Sequence, residues 1–128
     1  MLLHRGHFGR AKGVLEEVLE AFHSGGRRSL EGALHAFLLP CAAHTLDWRG
    51  WRKHLERARL LLEESGFVDG DIAWAAELGA EQAAAMGGIG EALAALSLAG
   101  AQWQALGDQQ RVEAVRKRIA ALEGIGRT

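Results

Sequence analysis

A six-residue layout occurs three times in this chain, about forty residues apart, and no other feature limits the fold so strongly. The three copies are Gly6-His7-Phe8-Gly9-Arg10-Ala11, Leu46-Asp47-Trp48-Arg49-Gly50-Trp51 and Gly87-Gly88-Ile89-Gly90-Glu91-Ala92. Each sets a small or turn-forming pair and a bulky apolar residue at the mouth of an apolar-periodic stretch. Ala11 and Trp51 are 40 residues apart, and Trp51 and Ala92 are 41 apart. A period of this size is the mark of stacked supersecondary units, none of which hides its apolar face alone. Arrays of that kind present surfaces and rarely carry chemistry.

The stretches that follow have helical spacing. Ala11, Leu15, Val18 and Phe22 lead to Gly25-Gly26; Trp51, Leu55, Ala58 and Leu62 lead to Ser65-Gly66; Ala92, Leu96, Ala99 and Trp103 lead to Leu106-Gly107. Glycine just past a last turn takes the left-handed geometry that closes a helix. Three more helices are expected between and after these. Ser29 caps one running to about Leu46, Asp71 caps one running to about Met86, and Asp108 caps one over Gln109–Glu123. The last carries Val112, Val115, Ile119 and Leu122 on one stripe. The chain has no Tyr and a single Pro, and Val and Ile are few, so material for strands is lacking. That proline, Pro40, falls inside the second helix and predicts a bend there. An all-α chain of six helices follows, with short loops that make neighbours antiparallel.

This alternation resembles the tetratricopeptide repeat family over nearly the whole chain. There a helix pair is joined by a turn reading Gly-Asp-aromatic-x-x-Ala. The first copy fits with His7 in place of Asp, the second keeps Asp47 and Trp48, and the third keeps Gly87 and Ala92. Trp74 and Leu78-Gly79 echo the family's Trp and Leu-Gly, and Ala58 and Ala99 its final Ala. The period is longer than the family's usual 34 residues and no proline separates the repeats, as in the degenerate repeats of large bacterial regulators and kinases. The resemblance implies antiparallel helix pairs stacked as a right-handed α-solenoid. It implies a concave surface, made by the first helix of each pair, that binds a peptide or partner helix. Carried onto this chain, that surface holds Ala33, Ala36, Phe37, Pro40, His44, Trp74, Glu77, Leu78 and Glu81. Family members that grip a chaperone's terminal carboxylate use Lys and Asn where this chain has Ala36, Pro40, Glu77 and Glu81, which argues against that ligand. Residues 1–128 are expected to form one domain of about three repeats, the first lacking its first helix. A fragment of a longer array has that form, and its uncovered ends would favour homo-oligomers.

Chemistry is hard to find. Cys41 and His44, and His4 and His7, are each three residues apart, but match no zinc spacing; Cys41 reads as a buried small hydrophobe. Gly87-Gly88-Ile89-Gly90 opens a helix without the Lys-Ser or Lys-Thr of a phosphate loop. Glu77 and Glu81 lie four apart, a spacing that fits a solvent-facing groove rather than an acid–base pair. Neither a catalytic residue nor a cofactor or metal is predicted. Arg49, Arg52, Lys53, His54, Arg57 and Arg59 beside Trp48 and Trp51 would suit nucleic acid, yet glutamates interrupt the run and a net charge of -1 supplies no bulk attraction. One cysteine and no long apolar stretch predict a cytoplasmic protein off the membrane. The expected function is a protein-interaction module, part of a bacterial transcriptional regulator or signalling protein. A self-associating spacer is the alternative, and a nucleic-acid-binding repeat ranks below both.

Overall fold

A computed structural model of the chain describes residues 8–25 and 28–126, with side-chain surroundings for all of these except 19–25, 28, 29 and 126. The described residues form six α-helices and no strand: α1 Phe8–Gly25, α2 Arg28–His44, α3 Trp48–Ser65, α4 Gly70–Ala85, α5 Ile89–Leu106 and α6 Gln109–Gly126. Gly6, His4 and His7, and the side chain of Phe22, lie outside what is described.

The helix ends show what the repeated phrase encodes. At its first position the chain turns left-handed: Gly87 has φ 88 and Leu46 has φ 58. The backbone then closes each preceding helix with the same pair of bonds. Leu46 N donates to Ala43 O (3.1 Å) and Asp47 N to Ala42 O (2.9 Å); Gly87 N donates to Ala84 O (3.1 Å) and Gly88 N to Ala83 O (2.7 Å). Gly107 (φ 76) and Asp108 repeat this arrangement at the end of α5. A leucine in that conformation is strained by about 1 kcal/mol, and the phrase tolerates it because the following Asp47 caps α3 through Gly50 N at 2.9 Å. Two expectations about caps need correcting. Asp69, not Asp71, caps α4, its carboxylate accepting from Asp71 N at 2.7 Å. Ser29 lies inside α2, which starts one residue earlier. Asp108 caps α6 as expected, accepting from Arg111 N at 3.1 Å. Pro40 is fully buried, and α2 is helical on both sides of it.

Of the expected stripes, Trp51, Leu55, Ala58 and Leu62 are all buried, as are Ala92, Leu96 and Ala99. The first differs: Ala11 is buried, but Val18 is 36% exposed, and Val14 beside it is 52% exposed.

The central four helices form a ring of neighbours. α2 packs on α3 and α4, and α5 packs on α4 and α3, whereas α1 lies along α2 and α6 along α5. One apolar core runs through α2, α3, α4 and α5 and reaches Val115 of α6. Its centre is Trp51, fully buried, whose ring lies over Gly79 of α4; a Cβ there would sit 2.9 Å from Leu39 Cβ and 3.3 Å from the Trp51 ring. Only glycine allows that approach. Trp48 works similarly one turn earlier. Its ring covers Gly88, where an added Cβ would come within 2.6 Å, so the second copy of the phrase packs directly on the third.

Candidate functional site

The residues assigned to a concave surface separate into three groups. Ala33, Ala36 and Pro40 are buried in the packing of α2 and cannot touch a partner there. Phe37, Trp74 and Leu78 are half-buried and pack against a second apolar cluster of Phe8, Ala11 and Cys41, joined by Leu15. His44 is exposed and its ring stands 5.1 Å from that of Phe8. Glu81 is exposed, but Glu77 is engaged within the chain: Trp103 Nε1 donates to it at 2.8 Å, and Arg118 of α6 approaches at 3.5 Å. Glu77 therefore ties α4 to α5 and α6.

A concavity runs instead between α3 and α5. These helices touch over less of their length than any other neighbouring pair, because α5 turns Ala94, Ser97 and Ala101 outward there, and small side chains leave the space unfilled. The groove has a volume of about 430 Å³, with Leu62, Phe67, Ala94 and Leu98 as its apolar lining and Arg59 and Glu63 as its rim. A separate concavity along α3, lined by Leu55, Glu56 and Leu60, shares Arg59 and Glu63 with it. Two contacts fix the ends of the groove. Arg52 meets Glu91 at 3.4 Å across one end. At the other, the buried Gln102 accepts from Asp69 N at 3.0 Å and donates to Phe67 O at 3.4 Å, holding the α3–α4 loop. Leu60, on the same flank of α3, is 43% exposed.

Comparison of the chain with family models, with curated proteins and with solved structures finds no match. The site is therefore read from its own geometry.

A polar cluster between α2 and α3 escaped the sequence reading. His35 Nδ1 and His54 Nδ1 are 2.8 Å apart, so one ring donates and the other accepts. Glu31, buried, lies 3.9 Å from His35 Nε2 and 3.5 Å from Arg57. Burial, then the neighbouring His54, pushes the His35 pKa down from 6.5 to about 4, and burial also lowers that of His54. The two histidines are 19 residues apart and have no counterpart in the other repeats, so no pattern announced them.

The remaining chemical candidates find structural employment. Burial pushes the Cys41 thiol up to about 11, which keeps it a thiol. Among the described residues, no group of three or more His, Cys, Asp or Glu is placed to hold a metal ion. Gly87 and Gly88 spend their N–H groups closing α4, and Trp48 covers Gly88, so no phosphate cradle forms. In the basic run, Arg52 and Arg57 are paired with Glu91 and Glu31. Trp51 is buried and Trp48 half-buried, which removes the stacking platform that nucleic acid would need. No described helix is long and apolar enough to cross a membrane.

Proposed function

We propose that this chain is a helical-repeat protein-interaction module of the tetratricopeptide kind, in which antiparallel helix pairs stack and a partner helix lies along the α3–α5 groove. The observation that carries this reading is the groove itself: an apolar floor of Leu62, Ala94 and Leu98 under a charged rim of Arg59 and Glu63. An amphipathic helix matches both features, burying its apolar face and keeping its charges at the edge. The stacking of Trp48 on Gly88, turn upon turn, and the shared left-handed closure of α2 and α4 support a repeat architecture. A module of this type works within a larger regulatory or signalling assembly, in the bacterial cytoplasm on the reading of composition.

A second surface has one observation in its favour. Phe37, Trp74 and Leu78 are half-buried aromatic and aliphatic side chains on a second apolar cluster, which Phe37 joins to the main core, and such anchors dominate binding energy where they are used.

One experiment separates the two. A displayed library of helical peptides is panned against the chain, and selected binders are measured by fluorescence anisotropy against Ser97→Trp/Ala101→Arg and against Trp74→Ala. Both groove positions are exposed, so the first variant fills the groove without disturbing the core. It should weaken binding at least about tenfold, a loss near 1.4 kcal/mol, while Trp74→Ala leaves it within about twofold. The reverse pattern moves the site to the α1–α2–α4 surface, and a library that yields no binder sensitive to either variant removes the groove proposal.

A further inference from the structure

The outer face of α3 carries a charge pattern that is its own complement. Arg52, Glu56, Arg59 and Glu63 follow one another at steps of four, three and four residues, which keeps them on one side of the helix. With Leu55 and Leu60 they line a single concavity along α3. All four charged residues are exposed, and among the described residues Arg52 alone of the four is held by an ion pair, to Glu91 at 3.4 Å. The repeat does not impose the pattern: a shift of 41 puts Leu93, Ser97, Gly100 and Gln104 at the same places in α5.

Run in the opposite direction, the same positions present the opposite signs. Consider a second α3, antiparallel and related by a twofold axis at the level between Arg57 and Ala58. Arg52 then stands level with Glu63 of the second copy, and Glu56 level with Arg59 of the second copy. Symmetry repeats both pairs, so each of the four charges meets its opposite and no two like charges share a level. The two copies of Leu60, 43% exposed, fall on the same side of the axis. The helix as a whole is ordered for the same match. Its first two turns carry Arg49, Arg52 and Lys53 and its last carries Glu63 and Glu64, the reverse of what the helix dipole favours. An antiparallel copy lays each basic end along an acidic one.

We infer that the chain forms a twofold dimer, the outer face of α3 of one copy packing antiparallel on the same face of a second. The contact is isologous, so it closes at two copies. A single pair of helices buries less than the roughly 1,200 Å² of a standard interface, so the dimer is weak and reversible. The inference goes beyond the α3–α5 groove and does not rest on it. Arg59 and Glu63 border both surfaces, so a groove-bound helix and a second copy compete.

The experiment exchanges charges beside the axis, at exposed positions, with circular dichroism to check that helix content is kept. By light scattering at about 0.5 mM protein, the unaltered chain should approach twice the monomer mass and go no further. Glu56→Arg and Arg59→Glu each set two like-charge pairs across the axis and should remain monomers. The double exchange Glu56→Arg/Arg59→Glu restores both pairs with the signs swapped and should dimerise again, as should an equal mixture of the two single variants. An unaltered chain that stays monomeric leaves this face to a different partner and overturns the inference. So does a mass that climbs past two copies, a single variant that dimerises like the parent, or a double exchange that stays monomeric. Glu56 does not line the groove, so Glu56→Arg should leave peptide binding there within about twofold. Failure of the groove reading shows in peptide binding alone, and failure of the dimer shows in mass alone.

Discussion

Replacing Trp51 with alanine should cost about 3–5 kcal/mol of stability, the range for emptying a large aromatic site in a packed core. Trp51 is fully buried and meets Trp48 edge-on at 6.1 Å between ring centroids. Its other face presses on the position where Gly79 lacks a Cβ. The cavity left by alanine would open where α2, α3 and α4 converge, and neighbours built largely of alanine have little side chain with which to fill it. Trp51→Phe should be far milder. The indole Nε1 is buried without an acceptor, and removing an unsatisfied donor returns part of its penalty of about 1–3 kcal/mol. Urea unfolding followed by circular dichroism checks both. An alanine variant within about 1 kcal/mol of the parent would show that Trp51 is not at the centre of the packing.

Stability should fall as the solution is acidified through the range in which ordinary histidines gain their proton. His35 in the folded chain is lowered from 6.5 to about 4, and His54 is lowered as well. Between those values the unfolded chain binds more protons than the folded one, so folding weakens as pH drops. The contribution is intact above 6.5, declines below it and is fully lost near 4. For His35 it amounts to at most about 3 kcal/mol, taking about 1.4 kcal/mol per tenfold change in proton affinity. The surroundings divide: Glu31 favours the charged ring of His35, Arg57 and Lys53 oppose it, and at His54 Glu16 and Asp47 oppose Lys12 and Lys53. Burial outweighs them all. Urea midpoints measured from about pH 7.5 to 4.5 should therefore fall more steeply for the parent than for His35→Gln/His54→Gln. Equal slopes would mean that the pair titrates as it does in the unfolded chain.

The sequence carried most of the element order because its signals are local. Turn chemistry at Leu46-Asp47, Gly66, Gly87-Gly88 and Gly107-Asp108 depends on the residues themselves, and all four mark helix ends in the structure. Caps were harder. Asp69 and Asp71 are equally good cap residues, and the backbone decides between them by placing Asp69 in an extended conformation. The site was less legible because it depends on what two distant segments leave unfilled. Ala94, Ser97 and Ala101 look like ordinary helix surface until α3 is known to stand beside them. The family's groove positions misled for the same reason: Ala33, Ala36 and Pro40 mark a surface only if nothing packs on that face of α2, and here they are buried. Glu77 likewise reads as a free acid until Trp103 and Arg118 are brought to it.

Everything above depends on the α2–α3 pair lying against the α4–α5 pair through Trp51 and Gly79. Nuclear Overhauser contacts of the Trp51 indole in the full chain test this most directly. The account predicts cross-peaks from that ring to the Gly79 Hα protons and from the Trp48 ring to Gly88, since an added Cβ would fall 3.3 Å and 2.6 Å from those rings. A Trp51 ring that shows contacts within α3 but none to Gly79 would contradict it.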